Sequence, residues 1–509
     1  MTDCKVRRAA AWAIGAWLPA ALFAQESPPA PTAAPAQASA ATPASVRPRS
    51  VVFYVIDTCR ADRLSAYGCE RETSKELEKL AKLGVKFERC FSQAPWTKPS
   101  VASMLTSCYP TVTGMHRFFD QLDERFVTLP EALRAAGWRT AGFSTNPVMG
   151  RMSNYQQGFD EFMEATQIIP GGDSIGHSTG SGAAINEKVL PFLAANERAP
   201  WFLWLHSIDP HEMYDPEPAD YRKFTTEAKK KEYERQLREI RQKNPGKVGS
   251  VTTQEHFERA KVKVEPFIET ALALYDADIR ANDREIGELH DALRKRPEFE
   301  DAIFVVTSDH GEEFMENGGT SHAYTVYNEL LHVPLIIVAP GLVPAGLVVK
   351  EPVQSIDLYP TLLELLGVPS PDGLQGRSFA SLLAGEAGDA HAVFAELHEM
   401  PDERFFPGQG NLLSVIEGPW KYILNLKPTA NRQRPRHELY RLDIDFREEK
   451  NLAEAEPERV ARLEEKVLEW WAKNQARHAG VDVKSLTEKD LSAADPETLR
   501  RLRELGYLE

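Results

Sequence analysis

The chain has 509 residues, enough for more than one domain or for one large α/β unit with additions. Its 42% hydrophobic and 27% charged residues are ordinary for a soluble globular protein. A formal net charge of −15 excludes nucleic-acid binding through a generally basic surface, while leaving room for a local cationic pocket.

Lys5, Arg7 and Arg8 precede an apolar run from Ala9 to Ala24. The run is short and Ala-rich, so residues 1–24 are expected to be a secretory signal peptide cleaved after Ala24, with an uncleaved anchor as the competing reading. No Cys follows the run, so a lipid-anchored start has no support. Residues 25–49 are almost wholly Ala, Pro, Ser, Thr and Gln, a composition that cannot bury a core and reads as a disordered linker. The expected location is periplasmic or secreted, with no stable membrane span after cleavage. Export would permit disulfides among Cys59, Cys69, Cys90 and Cys108, but the sequence chooses no pairing and has no C-x-x-C pair.

Val51 to Ile56 (VVFYVI) is a continuous, β-branched-rich apolar run, as expected of a parallel strand buried on both faces. It ends at Asp57. Ligands collect beyond the carboxyl ends of strands in open α/β sheets, which makes Asp57 a candidate metal ligand; alone it reads more readily as a turn or helix-capping residue. A helix is expected over Ser74–Leu83 and a strand over Gly84–Phe91. Next comes Ala94–Thr106 (APWTKPSVASMLT). Trp96 and the prolines make a stiff entry, and a helix is expected from Ser100. Thr97 then sits just ahead of an N-terminus whose free N–H groups and dipole favour anions. The plain alternative is an ordinary capping threonine.

Leu129–Ala136 is amphipathic, and residues 137–143 form a short strand with Ser144-Thr145-Asn146-Pro147 at its end. Pro200–Leu205 (PWFLWL) is a buried strand running into His206, Asp209 and His211. Residues 220–264 mix both signs of charge and read as a solvated helical insertion. Ile268–Arg294 is a long amphipathic helix. Ala302–Thr307 (AIFVVT) is a further buried strand ending in Asp309 and His310, a carboxylate and an imidazole able to share one ion. Residues 317–327 read as a loop over the site carrying His322. A strand over Val333–Ala339 and a helix over Val353–Leu366 close the main domain, which spans 50–370. Strand-like pieces at 392–396 and 420–424 and a helix from Glu456 to Lys473 make a smaller C-terminal α+β subdomain over 371–475. Residues 476–509 are a tail with a terminal helix from Pro496 to Leu505. Alternating strands and helices predict an α/β fold, a mostly parallel sheet flanked by helices, with the candidate residues gathered on one sheet edge.

The stretches VIDTCRADRLSAYG, PWTKPSVASMLTSCYPTVTG, FLWLHSIDPHEMYDP, TSDHGEEF, TVYNELLHVPLII and SIDLYPTLLELLGVP together resemble the sulfatase family of the alkaline-phosphatase superfamily. GPWKYI and ELYRLDIDFREEKNLA resemble that family's smaller C-terminal sheet domain. The resemblance implies an alkaline-phosphatase-like fold and a metal-dependent hydrolase of sulfate-type esters. Carried over by position, it puts Asp57, Asp309 and His310 on a divalent metal (Ca2+, Mn2+ or Zn2+), with one ion expected and a second left open. Thr97 takes the nucleophile position and would also touch the metal. His211 would contact the ester or leaving group, and His322 would lie beside the substrate oxyanion. Lys98, Asn146, His206 and Asp209 are weaker substrate-binding candidates. The expected substrate is a small-molecule, glycan or lipid sulfate or phosphate ester, and nucleic acid is not expected.

The departures bear on chemistry. Where the family carries C-x-P-S-R or S-x-P-S-R, its Cys or Ser is oxidised to formylglycine. This chain has Thr97-Lys98-Pro99-Ser100-Val101 there, and oxidation of threonine would give a ketone. Val101 replaces the motif Arg, and Ser144-Thr145-Asn146-Pro147 stands where many members have G-K-W-H. Cys108-Tyr109-Pro110-Thr111 imitates C-x-P-S but falls about one helix further on and reads as a decoy. Phosphodiesterases and some phosphotransferases of the superfamily use a Thr nucleophile. Three readings follow: a Thr97-dependent sulfatase-family hydrolase; a phosphodiesterase, phosphonate-ester hydrolase or phosphoglycerol-type transferase working through phospho-Thr97; and an inactive binding protein that keeps the pocket.

Overall fold

The apolar run Val51–Ile56 forms β1, the central strand in the computed structural model of the chain. Its side chains alternate between two cores. Val52, Tyr54 and Ile56 point into one and Val51, Phe53 and Val55 into the other, and each of the six residues is at most 3% exposed. A strand covered on both faces needs no polar alternation, which is why the run is continuous. The structure describes residues 48–509 apart from 170–179, 197–199, 245–251, 389–390, 400–408, 430–433 and most of the chain beyond 486. The expected signal peptide, nearly all of the expected linker and most of the expected terminal helix lie outside the described residues.

After β1 come α1 (Lys75–Leu83), β2 (Val85–Phe91), α2 (Thr97–Thr106), β3 (Arg139–Ser144), β4 (Glu161–Met163), β5 (Trp201–Ser207) and α3 (Val264–Leu293). They are followed by β6 (Ile303–Ser308), β7 (His332–Val338), β8 (Leu347–Val349) and α4 (Leu358–Leu366). The sheet runs β8-β2-β7-β6-β1-β5-β3-β4, with Val353–Gln354 as a further short strand beside β2. Only β7 runs against the others, pairing antiparallel with both β6 and β2. The long helix α3 covers one face through Leu274, Tyr275 and Ile279. The other face is covered by Val101, Met104 and Leu105 of α2 and Leu358 and Leu362 of α4.

Two local expectations change. α2 starts at Thr97, not at Ser100, with Trp96 extended before it. Pro99 fits because N–H groups of the first turn have no intrahelical carbonyl to reach. The 220–264 insertion does form helices, Glu227–Lys243 and Gln254–Ala260, but it is solvated on one side only: Tyr233, Leu237, Ile240 and Phe257 enter the main core. Cys59, Cys69, Cys90 and Cys108 are all free thiols.

The C-terminal part is an antiparallel sheet of β9 (Val393–Leu397), β10 (Asn411–Glu417), β11 (Trp420–Lys427) and β12 (His437–Arg441), followed by α5 (Pro457–His478). Its strands alternate cleanly. Leu413, Val415, Tyr422 and Leu424 pack on Val460, Leu463 and Val467 of α5. Leu412, Ile416 and Ile423 pack instead with Trp96, Ala323, Tyr324 and Tyr327. The subdomain therefore braces the segment that follows His322, and the Thr429 hydroxyl donates to the Tyr324 carbonyl at 2.7 Å. Among the described residues no helix is long and apolar enough to cross a membrane.

Candidate active site

β1, β3, β5 and β6 are parallel and in register, with Val55 and Ser144 both opposite His206, and Ile56 opposite Ser308. The first residues past their carboxyl ends are thereby set in one row. Asp57 follows β1, Asn146 follows β3, His206 is the penultimate residue of β5, and Asp309 and His310 follow β6. Thr97 opens α2 beside them.

These side chains form one buried group. His206 Nε2 lies 3.5 Å from Asp57 Oδ2 and 3.7 Å from Asp309 Oδ2. His310 Nε2 lies 3.7 Å from Asp57 Oδ1 and 3.6 Å from Asp309 Oδ2. Two ligands of one ion, each at the usual bond length and at tetrahedral angles, stand about 3.4 Å apart. The observed spacings are of that size, longer than hydrogen bonds. Among the described residues, Asp57 Oδ1, Asp309 Oδ2 and both ring nitrogens of His206 are buried with no hydrogen-bond partner. Buried polar atoms of a folded protein are nearly always satisfied. An orphaned set of two carboxylates and an imidazole, all within 4.8 Å of one another, fits a divalent cation.

Supporting bonds hold the ligand atoms in place. Asp309 Oδ1 accepts from the backbone N–H groups of Thr58 (3.1 Å) and His310 (2.9 Å), which turns Oδ2 toward the group. Ser100 Oγ donates to the Asp309 carbonyl at 2.6 Å. His310 Nδ1 donates to the Gly311 carbonyl at 2.8 Å, so Nε2 carries the lone pair. That Nε2 accepts from the Thr97 hydroxyl at 3.2 Å. Gly311 is required there, because a Cβ would lie 1.9 Å from the Glu329 carbonyl oxygen. His211 Nδ1 donates to the Glu212 carbonyl at 2.5 Å, and its ring centroid is 5.0 Å from that of His322. His322 Nδ1 faces Glu312 Oε1 at 3.0 Å.

The electrostatics agree with a site built for a cation. Burial, and then the charge of Asp57, hold the Asp309 carboxyl well above the usual range. Burial alone would raise Asp57 too, but His206, His211 and the Asn146 amide leave it below its ordinary value. Without a cation the pair thus shares a proton. Burial pushes the imidazoles of His211 and His322 down to about 4, so both are neutral at pH 7.

The structure brings together Asp57, Thr97, Asp309, His310, His211 and His322, and it moves the four weaker candidates. His206, expected at most to touch substrate, joins Asp57 and Asp309 in the group that could hold a cation. Asn146 is an orienting residue: its Nδ2 donates to Asp57 Oδ2 at 2.5 Å and its Oδ1 accepts from the Val148 N–H at 2.8 Å. Asp209 faces the start of the Ser181–Ala195 helix, where Oδ2 accepts from the Ser181 N–H at 2.9 Å. Lys98 turns away from Thr97, its Nζ donating to the carbonyls of Phe118 (2.5 Å) and Asp120 (2.6 Å). One residue in a helix cannot present its side chain to the same side as its immediate predecessor. Lys98→Met should therefore cost about 1–3 kcal/mol of stability by orphaning two carbonyls. KM should stay within about threefold of the parent value, as read from steady-state kinetics beside a thermal melt.

The sequence reading gave no role to Glu312, which orients His322, or to Ser100, which anchors Asp309. Both lie inside stretches already singled out, TSDHGEEF and PWTKPSV, but side-chain direction cannot be read from either. Cys108 lies past the far end of α2 with Sγ 3.8 Å from the Gly373 carbonyl, and burial pushes its thiol up to about 11. A thiol so held is a poor nucleophile. Cys108→Ala should leave turnover within about threefold, and a loss beyond tenfold would make the decoy reading wrong.

The family model described as Sulfatase matches residues 49–368, and the one described as N-sulphoglucosamine sulphohydrolase, C-terminal, matches residues 321–473. The chain is 31% identical over 204 residues to Arylsulfatase K of Mus musculus, a match that covers 39% of this chain and only 35% of the mouse protein. It is 23% identical over 445 residues to the N-acetylglucosamine-6-O-sulfatase of Bacteroides thetaiotaomicron, covering 73% of this chain and 78% of that protein. The solved structure of a phosphonate monoester hydrolase from Silicibacter pomeroyi superposes with a TM-score of 0.66 at 22% identity, covering 86% of this chain and 99% of that one.

Proposed function

The chain belongs to the sulfatase family, and from that premise we propose that it hydrolyses monoanionic sulfate- or phosphate-type esters with Thr97 as the nucleophile. The observation that carries the reading is the Thr97 hydroxyl, 3% exposed and bonded at 3.2 Å to His310 inside the carboxylate–imidazole group. Asp57, His206, Asp309 and His310 would hold a divalent ion, which when bound lowers the pKa of a nearby hydroxyl and offsets negative charge on the ester.

Thr97 Oγ1 attacks the phosphorus or sulfur as the bond to the leaving oxygen breaks, and the hydroxyl proton passes to that oxygen, which departs as the alcohol. His211 and His322 act as neutral hydrogen-bonding groups for the ester and leaving oxygens, not as fixed cations. Water then attacks the phosphorus or sulfur of the Thr97 ester and regenerates the hydroxyl. A formylglycine hydrate can expel its sulfate by collapsing to the aldehyde, because a second hydroxyl sits on the same carbon. Threonine has no such hydroxyl, so release depends on attack at the central atom. That preference favours phosphodiesters and phosphonate monoesters over sulfate esters.

Charge narrows the substrate further. Among the described residues no Lys or Arg side chain bonds to Asp57, Thr97, Asp309, His310 or His322. Lys98 is spent on carbonyls, and Arg60 on Asp62, Glu316 and the Glu312 carbonyl. A dianionic phosphate monoester would bring a second charge to a site where the described residues place no cation to meet it. The expected order of kcat/KM on matched aryl esters is phosphodiester or phosphonate monoester first, sulfate second and phosphate monoester last. A phosphate monoester turned over fastest would contradict this reading.

A sulfated saccharide as natural substrate is the second reading, supported by the N-acetylglucosamine-6-O-sulfatase relative that covers 73% of the chain. Retention of the whole ligand set weighs against an inactive binding protein. Export remains part of the proposal, on the character of residues 1–24.

A further inference from the structure

A cavity of about 750 Å3 opens at the end of α2 remote from Thr97, where Tyr109, Gln354, β9 and α5 meet. The helix separates it from the nucleophile by about 14 Å, nine residues at the α-helical rise. Its lining runs against the charge of the whole chain. Six cationic side chains face it, Arg89, Lys350, Arg377, Lys466, Lys473 and Arg477, against the carboxylates Glu351 and Glu417. Glu417 is already neutralised by ion pairs to Arg462 and Lys466, and Lys473 pairs with Glu469, which leaves Arg89, Lys350, Arg377 and Arg477 as the cations without an ion pair among the described residues. Lys350 and Arg377 are exposed and form no ion pair among the described residues.

The floor adds a second, independent observation. Asn474 is 2% exposed and uses Oδ1 to accept from Gln375 Nε2 at 2.7 Å, leaving its buried Nδ2 with no acceptor among the described residues. A buried amide donor without a partner, in a cavity ringed by cations, calls for an acceptor that is also an anion. Trp470 and Phe394 stack at 4.6 Å and 5° beside it, with Tyr109 edge-on to Trp470 at 4.8 Å. This aromatic floor suits the C–H faces of a sugar ring. A single inorganic sulfate or phosphate would engage one or two of the cations and leave most of the volume unfilled. A saccharide carrying several anionic groups would use both the spread of charge and the floor.

We propose that this cavity is an accessory binding site for a polyanionic saccharide, a sugar chain bearing sulfate or carboxylate groups, held apart from the reacting centre. The site stands whether or not Thr97 is the nucleophile, so its failure and the failure of the proposed chemistry are separable.

The test uses the full chain carrying Thr97→Ala and a size-defined, fully sulfated heparin tetrasaccharide, with binding followed by calorimetric titration. The double variant Lys350→Glu, Arg377→Glu should weaken binding at least about tenfold, and added salt should weaken the parent far more than the variant. In the Thr97-containing chain the same two substitutions should leave kcat/KM on a small aryl ester within about twofold, which reports an intact fold and an untouched reacting centre. Inorganic sulfate should displace the tetrasaccharide only in large excess. The proposal is overturned if the tetrasaccharide does not bind, or if the variant binds it as tightly as the parent. It is equally overturned if sulfate competes mole for mole, marking a simple anion site, or if an acidic peptide of equal charge binds as well, marking a protein-docking surface.

Discussion

Thr97→Ala should lower kcat by about 10^4-fold or more, some 5 kcal/mol of barrier, on every ester the protein turns over. The size follows from what is removed. The Thr97 Oγ1 is the only hydroxyl bonded to His310 Nε2 among the described residues. Cys108 is at the other end of α2, and the Ser100 hydroxyl is committed to the Asp309 carbonyl. The cost to the fold is small, because one hydrogen bond and one methyl are lost, about 1 kcal/mol for the bond. Thr97→Ala should therefore keep its cooperative melt and its cation binding. Thr97→Ser, which restores an oxygen at the same place, should recover turnover to within about tenfold of the parent. A Thr97→Ala protein within tenfold of the parent would remove threonine from the chemistry.

Asp309→Asn should separate cation binding from folding. The amide oxygen can keep both backbone bonds that Asp309 Oδ1 accepts, from Thr58 and His310. The amide nitrogen then replaces Oδ2, the atom facing His206 and His310. In the cation-free protein that exchange costs little, because burial and the charge of Asp57 already disfavour the charged form of the Asp309 carboxyl. With cation present it removes an anionic ligand. Affinity should fall at least about 100-fold. The stabilisation a saturating cation gives the parent, about 2.7 kcal/mol at a hundred times Kd, should largely vanish. Metal analysis after dialysis and paired melts with and without chelator read both effects. Equal cation content and an equal cation-dependent shift in parent and variant would move the metal site elsewhere.

The legibility of this chain from its sequence follows the physics of each element. Strands buried on both faces, such as Val51–Ile56 and Ile303–Ser308, announce themselves as unbroken apolar runs, and their ends pointed to Asp57, Asp309 and His310. Register could not be read, and register is what sets His206 opposite Val55 of β1 and Ser144 of β3, with its ring within reach of Asp57. The run Pro200–Leu205 predicts His206 just past the strand end, whereas the strand continues to Ser207 and holds His206 inside it. Lys98 and Asn146 were misdirected for a related reason. The helix start at Thr97 rotates Lys98 away from the site, and a two-residue turn after β3 folds the Asn146 amide back on Asp57. Gln354 illustrates a different limit. The apolar pattern over 353–366 predicts one helix, yet its first two residues pair with β2, and the chain turns through Ser355–Asp357 before α4 begins. β10 and β12 carry a weaker signal because they are short: β10 has its apolar run broken by Ser414, and β12 has only five residues, three of them charged or polar.

The cation site and the covalent chemistry meet at one atom, Thr97 Oγ1. The most direct measurement is acid-quenched peptide mass spectrometry of the cation-loaded protein during steady turnover of an aryl phosphodiester and, separately, an aryl sulfate. The account predicts a phosphoryl ester on the Thr97 peptide, present during turnover, absent once substrate is exhausted and never formed by Thr97→Ala. An oxidised residue at 97, an adduct on Cys108, or full turnover with Thr97 unmodified at every quench time would contradict it.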